Sequence, residues 1–168
     1  ENPFNEKTFI DDKLSIIDVR ARDKEGKWYN IEVQLQSQKN FPERCLYYWA
    51  RTYSTQLQES YRFRQLNRVI AINLLNFNHF PDNIPWHSCF LLKEKDNSNF
   101  ILTLDLVLHF IEIKKVENSI TTDLAQWIYL LTHLGEEEDQ TMKVLSQKNK
   151  IFRDVKKRYD EFTADEHA

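Results

Sequence analysis

The 168-residue sequence predicts an α/β fold in which a mixed sheet combines an antiparallel hairpin, a helical crossover to a further strand and helices at the C-terminal end. Three observations predict it. A glycine-marked turn separates two short segments of alternating polarity, a helical segment precedes a run of β-branched residues, and two amphipathic segments close the chain. The length fits one domain, predicted over residues 1–163, with residues 164–168 as a loose tail.

The predicted hairpin turns at Gly26. A loop of three residues would place Gly26 in the left-handed conformation and pair Asp18 with Glu32, whereas a loop of two would pair Asp18 with Val33. The residues before the glycine suit a type I turn, and only the glycine position requires a positive φ. The sequence therefore favours the register that pairs the two acidic residues.

In that register the hairpin has one apolar and one polar face. The apolar face, predicted to be core, carries Ile17, Val19, Ala21, Tyr29, Ile31, Val33 and Leu35. The opposite face carries Asp18, Arg20, Arg22, Trp28, Asn30, Glu32 and Gln34. Because paired carboxylates repel unless water, a proton or a cation lies between them, Asp18 and Glu32 are candidate ligands of a hard divalent ion such as Mg²⁺. The same pattern is also that of an ordinary hairpin with one wet face.

The segment after the hairpin predicts a helix over residues 42–59, with a proline in its first turn. The residues predicted to pack on the sheet are Leu46, Ala50, Tyr53 and Leu57, and a neighbouring stripe holds Arg44, Tyr48, Arg51 and Thr55. If that stripe borders the polar face of the hairpin, Arg44 and Tyr48 could reach a bound phosphate. Packing of the helix on the sheet is the alternative role of both residues.

Further strands are predicted over residues 67–77, 89–94 and 100–114, the last bent near Leu104-Asp105. Asp105 and Glu112 are interpreted as polar positions on a partly exposed strand. A helix over residues 122–134 is predicted to be capped by Thr121 or Thr122, and the acidic run at residues 136–139 suits the start of one last helix.

Composition excludes several classes of protein. The two cysteines, Cys45 and Cys89, are too few for a disulfide framework and are predicted to be reduced and buried. The five histidines show no zinc-ligand spacing. The sequence lacks the apolar run of about eighteen residues that a membrane span needs, and it lacks a signal-peptide pattern, so a cytoplasmic location without membrane attachment is predicted.

The acidic residues lie in a recognisable motif. Ile17-Asp18-Val19 and Ile31-Glu32-Val33-Gln34-Leu35 resemble the acid and E-x-K strands of the PD-(D/E)XK nuclease superfamily, with glutamine in the place of lysine. The stretches Phe41-x-x-Arg44-x-x-Tyr47-Tyr48, Tyr53-Ser54-x-Gln56-Leu57 and Val69-Ile70-Ala71-Ile72 make the sequence similar, over roughly residues 12–115, to the PD-(D/E)XK nuclease family transposases.

The resemblance implies a restriction-endonuclease-like core and a DNA endonuclease that depends on Mg²⁺, with Mn²⁺ as the alternative ion. Asp18 and Glu32 would hold the metal, and Gln34 would take the place of the catalytic lysine without its charge. The N-terminal helix usual in the superfamily is expected to be missing here, either because it lies upstream in a longer parent protein or because it has been lost. The alternative function is a degenerate or truncated nuclease fold that binds DNA or a protein without cutting.

Charge is distributed unevenly along the chain. Residues 1–70 carry 12 Lys/Arg and 10 Asp/Glu, a net charge of +2, and residues 71–168 carry 11 and 16, a net charge of −5. DNA contact is therefore expected in the first half, where eight of the twelve basic residues cluster in sequence: Arg20, Arg22, Lys39, Arg44, Arg51, Arg62, Arg64 and Arg68. The candidate DNA-binding residues are Arg44, Tyr48, Arg20 and Arg51. The oligomeric state does not follow from the sequence.

Overall fold

The computed structural model describes residues 15–37, 39–57, 62–116, 120–136 and 140–166; of these, the side chains of residues 15–18 and 165–166 are not described. A five-stranded mixed sheet with the strand order β1-β2-β3-β5-β4 is the main element. Its strands are β1 (Ser15–Arg22), β2 (Trp28–Gln34), β3 (Val69–Leu75), β4 (His87–Lys93) and β5 (Ile101–Glu112). The helix α1 (Phe41–Ser54) connects β2 to β3.

Strand pairing confirms the predicted fold class. β1 and β2 form an antiparallel hairpin, and α1 then crosses to β3, which pairs with β2 in parallel. β5 adds to the other side of β3 in parallel, and β4 pairs with β5 antiparallel at the edge of the sheet. This mixed α/β sheet, followed by helices, is compatible with a restriction-endonuclease-like core.

The chain divides into two compact units, residues 1–115 and 116–168, with the short helix α2 (Ile113–Val116) at the boundary. The second unit contains α3 (Asp123–Thr132), α4 (Gln140–Lys148) and α5 (Lys150–Glu166). Its core is formed by Tyr129, Leu130, Met142, Leu145 and Phe152. The single domain over residues 1–163 and the tail over 164–168 stay predictions.

Local capping explains the helix boundaries of the second unit. Thr122 caps α3 as predicted, because its side chain accepts a hydrogen bond from the Ala125 amide at 3.2 Å. The single last helix that the sequence predicted is wrong: α4 and α5 are separate, and the side chain of Asn149 between them accepts from the Ile151 amide at 2.9 Å. Residues 137–139 of the acidic run lie outside the described residues. No helix in the described ranges is both long enough and apolar enough to cross a bilayer.

The core of the first unit lies between α1 and the central strands. Phe41 and Cys45 of α1 are buried together with Ala71, Leu75, Leu108 and Phe110. Phe41 packs edge-on against Phe110, with ring centroids 6.0 Å apart. The indole nitrogen of Trp49 also donates to the Val69 carbonyl at 2.9 Å, which fixes the helix on β3.

The hairpin face predicted to be core is less buried than expected, since Tyr29, Ile31 and Val33 are only half-buried. Val19 and Leu35 are 38% and 42% exposed, whereas Gln34 on the opposite face is fully buried. The reason is that α1 covers the polar face, where Thr52 accepts hydrogen bonds from Arg20 and Asn30. Burial of this face therefore depends on polar pairing between helix and sheet.

The stripe of α1 that packs on the sheet also differs from the prediction. Cys45 and Thr52 are buried and Trp49 joins the core, whereas Leu46 is 45% exposed. The helix ends at Ser54 instead of residue 59. Beyond it, the side chain of Gln56 exchanges two hydrogen bonds of 2.9 Å with the backbone of Asn67, which stops the helix from continuing.

Strand β5 is irregular where the sequence predicted a bend. Leu91 pairs with Val107, but Leu92 pairs with Thr103, so β5 carries extra residues around Asp105. Asp105 accepts a hydrogen bond from the Tyr53 hydroxyl at 2.8 Å, and burial followed by this bond raises the pKa of Tyr53 to about 12. Both cysteines are free; Cys45 is buried as predicted, whereas Cys89 is exposed.

Glu112 is fully buried, which corrects its interpretation as a partly exposed position. One carboxylate oxygen accepts from the amides of His79 and Phe80, and the other accepts from the Lys115 ammonium at 2.7 Å. Lys115 also donates to the Phe80 carbonyl at 3.0 Å. The pair therefore fastens the loop after β3 to the end of β5.

We expect the stability of the sheet edge to depend on pH through His109. Its Nδ1 lies 2.9 Å from Nε2 of His87, and burial followed by the charge of His87 lowers the pKa of His109 below 6.5. Because the unfolded chain binds this proton more readily, the stabilisation is present above about pH 6.5 and is lost as the pH falls through the lower folded-state pKa. The free energy of unfolding, measured by urea denaturation across this pH range, should depend less on pH in His109→Gln than in the wild type. Equal slopes of this free energy against pH in both proteins would contradict the expectation.

Candidate functional site

The turn of the hairpin sets the position of the candidate site. Gly26 has φ of 88°, and the amide of Asp23 bonds to the Lys27 carbonyl at 3.0 Å, which closes a three-residue loop. The Asp23 carboxylate accepts from the amides of Glu25 and Lys27, both at 2.9 Å. Burial is the largest single contribution and acts to raise the pKa of Asp23. The hydrogen bonds together outweigh it, so the pKa is lowered.

The predicted register of the hairpin is confirmed. Asp18 of β1 is the backbone partner of Glu32 of β2. Glu32 in turn lies beside Asn73 of β3 in the parallel pair. The side chain of Asp18 lies outside the described residues, so its role as a ligand stays a prediction.

Glu32 lies in a polar network under α1. Its Oε1 accepts a hydrogen bond from Nη2 of Arg44 at 2.9 Å and another from Nε2 of Gln34 at 2.6 Å. The side chains of Glu32 and Arg44 are only 12% and 16% exposed. Their attraction is therefore less screened by water than that of a surface ion pair.

Several predicted residues meet in one pocket. Arg20, Glu32 and Tyr48 all line it, together with Asn30, Cys45 and Asn73. Arg44 contacts Glu32 at its wall. Arg51 is half-buried further along α1 and does not line this pocket.

The polar residues beneath the site were missed by the sequence interpretation. Asn73 is 2% exposed, accepts from the Cys45 thiol at 3.2 Å and donates to the His109 carbonyl at 3.0 Å. A lone asparagine in the apolar run of β3 was the signal that could have found it. Burial, with a smaller contribution from Glu32, raises the pKa of Cys45 to about 12, so the thiol is a hydrogen-bond donor at neutral pH and not a nucleophile.

The donors on β2 suit a hard divalent ion. Gln34 Oε1 and Asn30 Oδ1 are buried oxygens without a hydrogen-bond partner among the described residues, and both residues share a face of β2 with Glu32. Carboxylate and amide oxygens are the ligands that Mg²⁺ and related ions take. Within the described ranges, no group of three or more His, Cys, Asp or Glu residues could hold a metal. A metal here would thus depend on Glu32, amide oxygens and a carboxylate such as Asp18.

Thr52 holds α1 on the polar face, and we expect its loss to destabilise the protein. Its hydroxyl accepts from Asn30 at 2.9 Å and from Arg20 at 3.3 Å. Thr52→Val keeps the shape but leaves the Asn30 amide without this acceptor, at a cost of about 1–3 kcal/mol. Chemical denaturation measures the loss. Thr55→Val, at the exposed C-cap residue of the same helix, is the matched control, and equal stabilities of the two variants would contradict this role.

One comparison with known proteins identifies the family of the chain. A family model described as PD-(D/E)XK nuclease family transposase matches residues 1–168. No curated protein and no solved structure matches the chain significantly. Since the match extends over the whole sequence and includes the hairpin with Asp18 and Glu32, the chain belongs to the PD-(D/E)XK nuclease family transposases.

Proposed function

We propose that the chain is a metal-dependent DNA endonuclease in which Asp18 and Glu32 hold Mg²⁺, with Mn²⁺ as the alternative. The observation that carries the proposal is the hairpin register, which makes these two acidic residues cross-strand partners in a chain of a nuclease family. When bound, such an ion supplies polarisation of the phosphate and a lower pKa for the attacking water. DNA is the proposed partner, and the cytoplasmic location predicted from the sequence goes with the proposal.

Gln34 is proposed to orient the attacking water. Its Nε2 is engaged by Glu32, and its buried Oε1 is an acceptor with no hydrogen-bond partner in the described part of the chain. An acceptor held in this way can fix a water molecule by one of its hydrogens. It cannot supply the positive charge of the family's lysine, so we propose that an arginine supplies positive charge at the phosphate in addition to the metal.

Arg44 is proposed to bind a phosphate oxygen. Its guanidinium is held at Glu32 in the free protein, and its forked donors match a phosphate as well as a carboxylate. Tyr48 and Arg20 line the same pocket and are proposed to contact the phosphate or its neighbour. Arg51 is proposed to contact DNA further along α1.

Cleavage of plasmid DNA tests the proposal. The purified chain should nick supercoiled plasmid with Mg²⁺ and not with EDTA, and Asp18→Ala should lose this activity. Asp82→Ala, which removes an exposed carboxylate from the loop after β3, should cleave like the wild type. Equal cleavage by Asp18→Ala and the wild type would reject the assignment.

A second candidate function is a non-cleaving module that binds DNA or protein. Two observations favour it: glutamine stands in the lysine position, and the Glu32 carboxylate is already engaged by Arg44 and Gln34. Under this alternative Mg²⁺ should not raise the melting temperature, because an ion that does not bind the native state cannot stabilise it. A rise that Asp18→Ala abolishes would favour the endonuclease.

We expect Arg44→Ala to change metal binding and cleavage in opposite directions. Removing the guanidinium takes one hydrogen-bond donor and one positive charge away from Glu32, so a cation competes less with Arg44 and the stabilisation by Mg²⁺ should increase. Cleavage should fall about tenfold or more, since a charged hydrogen bond contributes about 1.5–3 kcal/mol. Thermal melting and plasmid cleavage measure the two effects. If Mg²⁺ stabilisation and cleavage changed in the same direction, Arg44 would not both hold Glu32 and bind the phosphate. Arg44→Lys keeps the charge without the forked donors, so its two values should lie between those of the wild type and Arg44→Ala.

A further inference from the structure

An exposed aromatic residue lies between two arginines in the connection from α1 to β3. Phe63 is 81% exposed, more than the other large apolar residues that are exposed in the described part of the chain. It begins a short 3₁₀ turn, Phe63–Gln65, with Arg62 before it and Arg64 after it. Both arginines are exposed. A phenylalanine in this position is excluded from the core and is flanked in sequence by two positive charges.

The turn is well ordered by hydrogen bonds. The Gln65 side chain accepts from the Arg62 amide at 2.7 Å, and the Leu66 amide donates to the Phe63 carbonyl at 3.1 Å. Asn67, at the base of the turn, is fixed by the two bonds from Gln56. The exposure of Phe63 is therefore imposed by a defined backbone conformation.

The end of the sheet next to this turn is also basic. The Trp28 amide donates to the Arg68 carbonyl at 2.9 Å, and the Arg22 guanidinium lies over the Trp28 ring, 5.3 Å from its centroid. Asp23 of the hairpin loop accepts from backbone amides, and Glu25 pairs with Lys27. The described residues of the hairpin loop and the 3₁₀ turn with their flanks hold six basic residues (Arg22, Lys24, Lys27, Arg62, Arg64 and Arg68) and two acidic ones (Asp23 and Glu25), a net charge of +4, which complements a polyanion.

We propose that Phe63 stacks on a nucleobase of the DNA while Arg62 and Arg64 bind the flanking phosphates. This inference rests on the proposed DNA substrate. Aromatic rings next to arginines bind nucleic acid in this way because every base has a π-face and every nucleotide a phosphate. β2 runs four residues from Trp28, beside this end of the sheet, to Glu32, which is about 13 Å at the usual rise of a strand. The proposed stacking contact is thus displaced from Glu32 toward the end of β2 at Trp28.

Binding measured without metal separates this inference from the cleavage proposal. We would titrate the 168-residue chain in EDTA into fluorescein-labelled DNA, as a duplex and as a single strand of the same sequence, and follow fluorescence anisotropy. Phe63→Ala should weaken binding about tenfold to at least one of these DNAs, and Phe63→Tyr should bind like the wild type. Phe100→Ala, another exposed phenylalanine, is the matched control and should not change the affinity.

The form of DNA that responds identifies the mode of stacking. A loss confined to the single strand indicates an unpaired base, and a loss on the duplex indicates insertion between base pairs. Arg62→Gln and Arg64→Gln should each reduce the slope of log affinity against log salt by about one. Equal affinities of Phe63→Ala and Phe100→Ala, or no binding by the wild type, would overturn the inference. If Phe63 proves essential for binding but plasmid remains uncut, the stacking role stands and the endonuclease proposal fails.

Discussion

Glu32→Gln should reduce Mg²⁺-dependent plasmid cleavage by about 100-fold or more, because the metal effect on such a reaction amounts to several kcal/mol. The substitution removes the negative charge and keeps the shape of the side chain. The amide can still contact Arg44 and Gln34, so the network under α1 should largely remain. Initial rates of nicking measure the effect, and circular dichroism with thermal melting checks that the variant is folded.

A neighbouring carboxylate supplies the control for this substitution. Glu43 is exposed in the first turn of α1, next to Arg44 in sequence, so Glu43→Gln makes the same chemical change outside the pocket. It should cleave at the wild-type rate. Glu32→Asp, which retains the charge on a shorter side chain, should recover part of the activity lost in Glu32→Gln. Cleavage by Glu32→Gln at the rate of Glu43→Gln would remove Glu32 from the mechanism.

Glu112→Gln should lower the free energy of unfolding by about 3–5 kcal/mol, the typical cost of breaking a buried ion pair from one side. Glu112 is 0% exposed. Its substitution would leave the Lys115 ammonium without its carboxylate partner, although the Lys115 side chain is only 13% exposed. The new amide can keep its oxygen on the backbone amides of His79 and Phe80 only by turning its NH2 group toward the Lys115 ammonium, which is itself a donor. Urea denaturation measures the loss.

The effect should be specific to the buried pair. Asp82→Asn, in the exposed part of the same loop, should leave the free energy of unfolding unchanged within about 0.5 kcal/mol. Lys115→Met should also be destabilising, and the double variant Glu112→Gln/Lys115→Met should cost less than the sum of the single changes, because the two residues interact. Strict additivity would show that the pair does not act as a unit.

Polar residues buried by tertiary contacts were the part of the site that the sequence did not reveal. Asn73 and Thr52 have residue types usual on a surface, and each is buried because a partner from another element satisfies its hydrogen bonds. Gln34 was predicted as a site residue from the motif, but it is completely buried only because α1 packs over this face of the hairpin. The pairing of Glu32 with Arg44 joins a strand to a helix over twelve positions, and helical spacing alone could only suggest it.

The sequence by itself determined the features that depend on neighbouring residues. Gly26 and the residues before it specify the turn and with it the pairing of Asp18 with Glu32, and the two threonines before α3 limit its cap to Thr121 or Thr122. Tertiary structure alone decided that the polar side chains of Gln34 and Glu112 are internal. The physical reason is that turn and cap geometry follow from local φ preferences and hydrogen bonds, whereas the burial of a polar side chain depends on partners brought from distant parts of the chain.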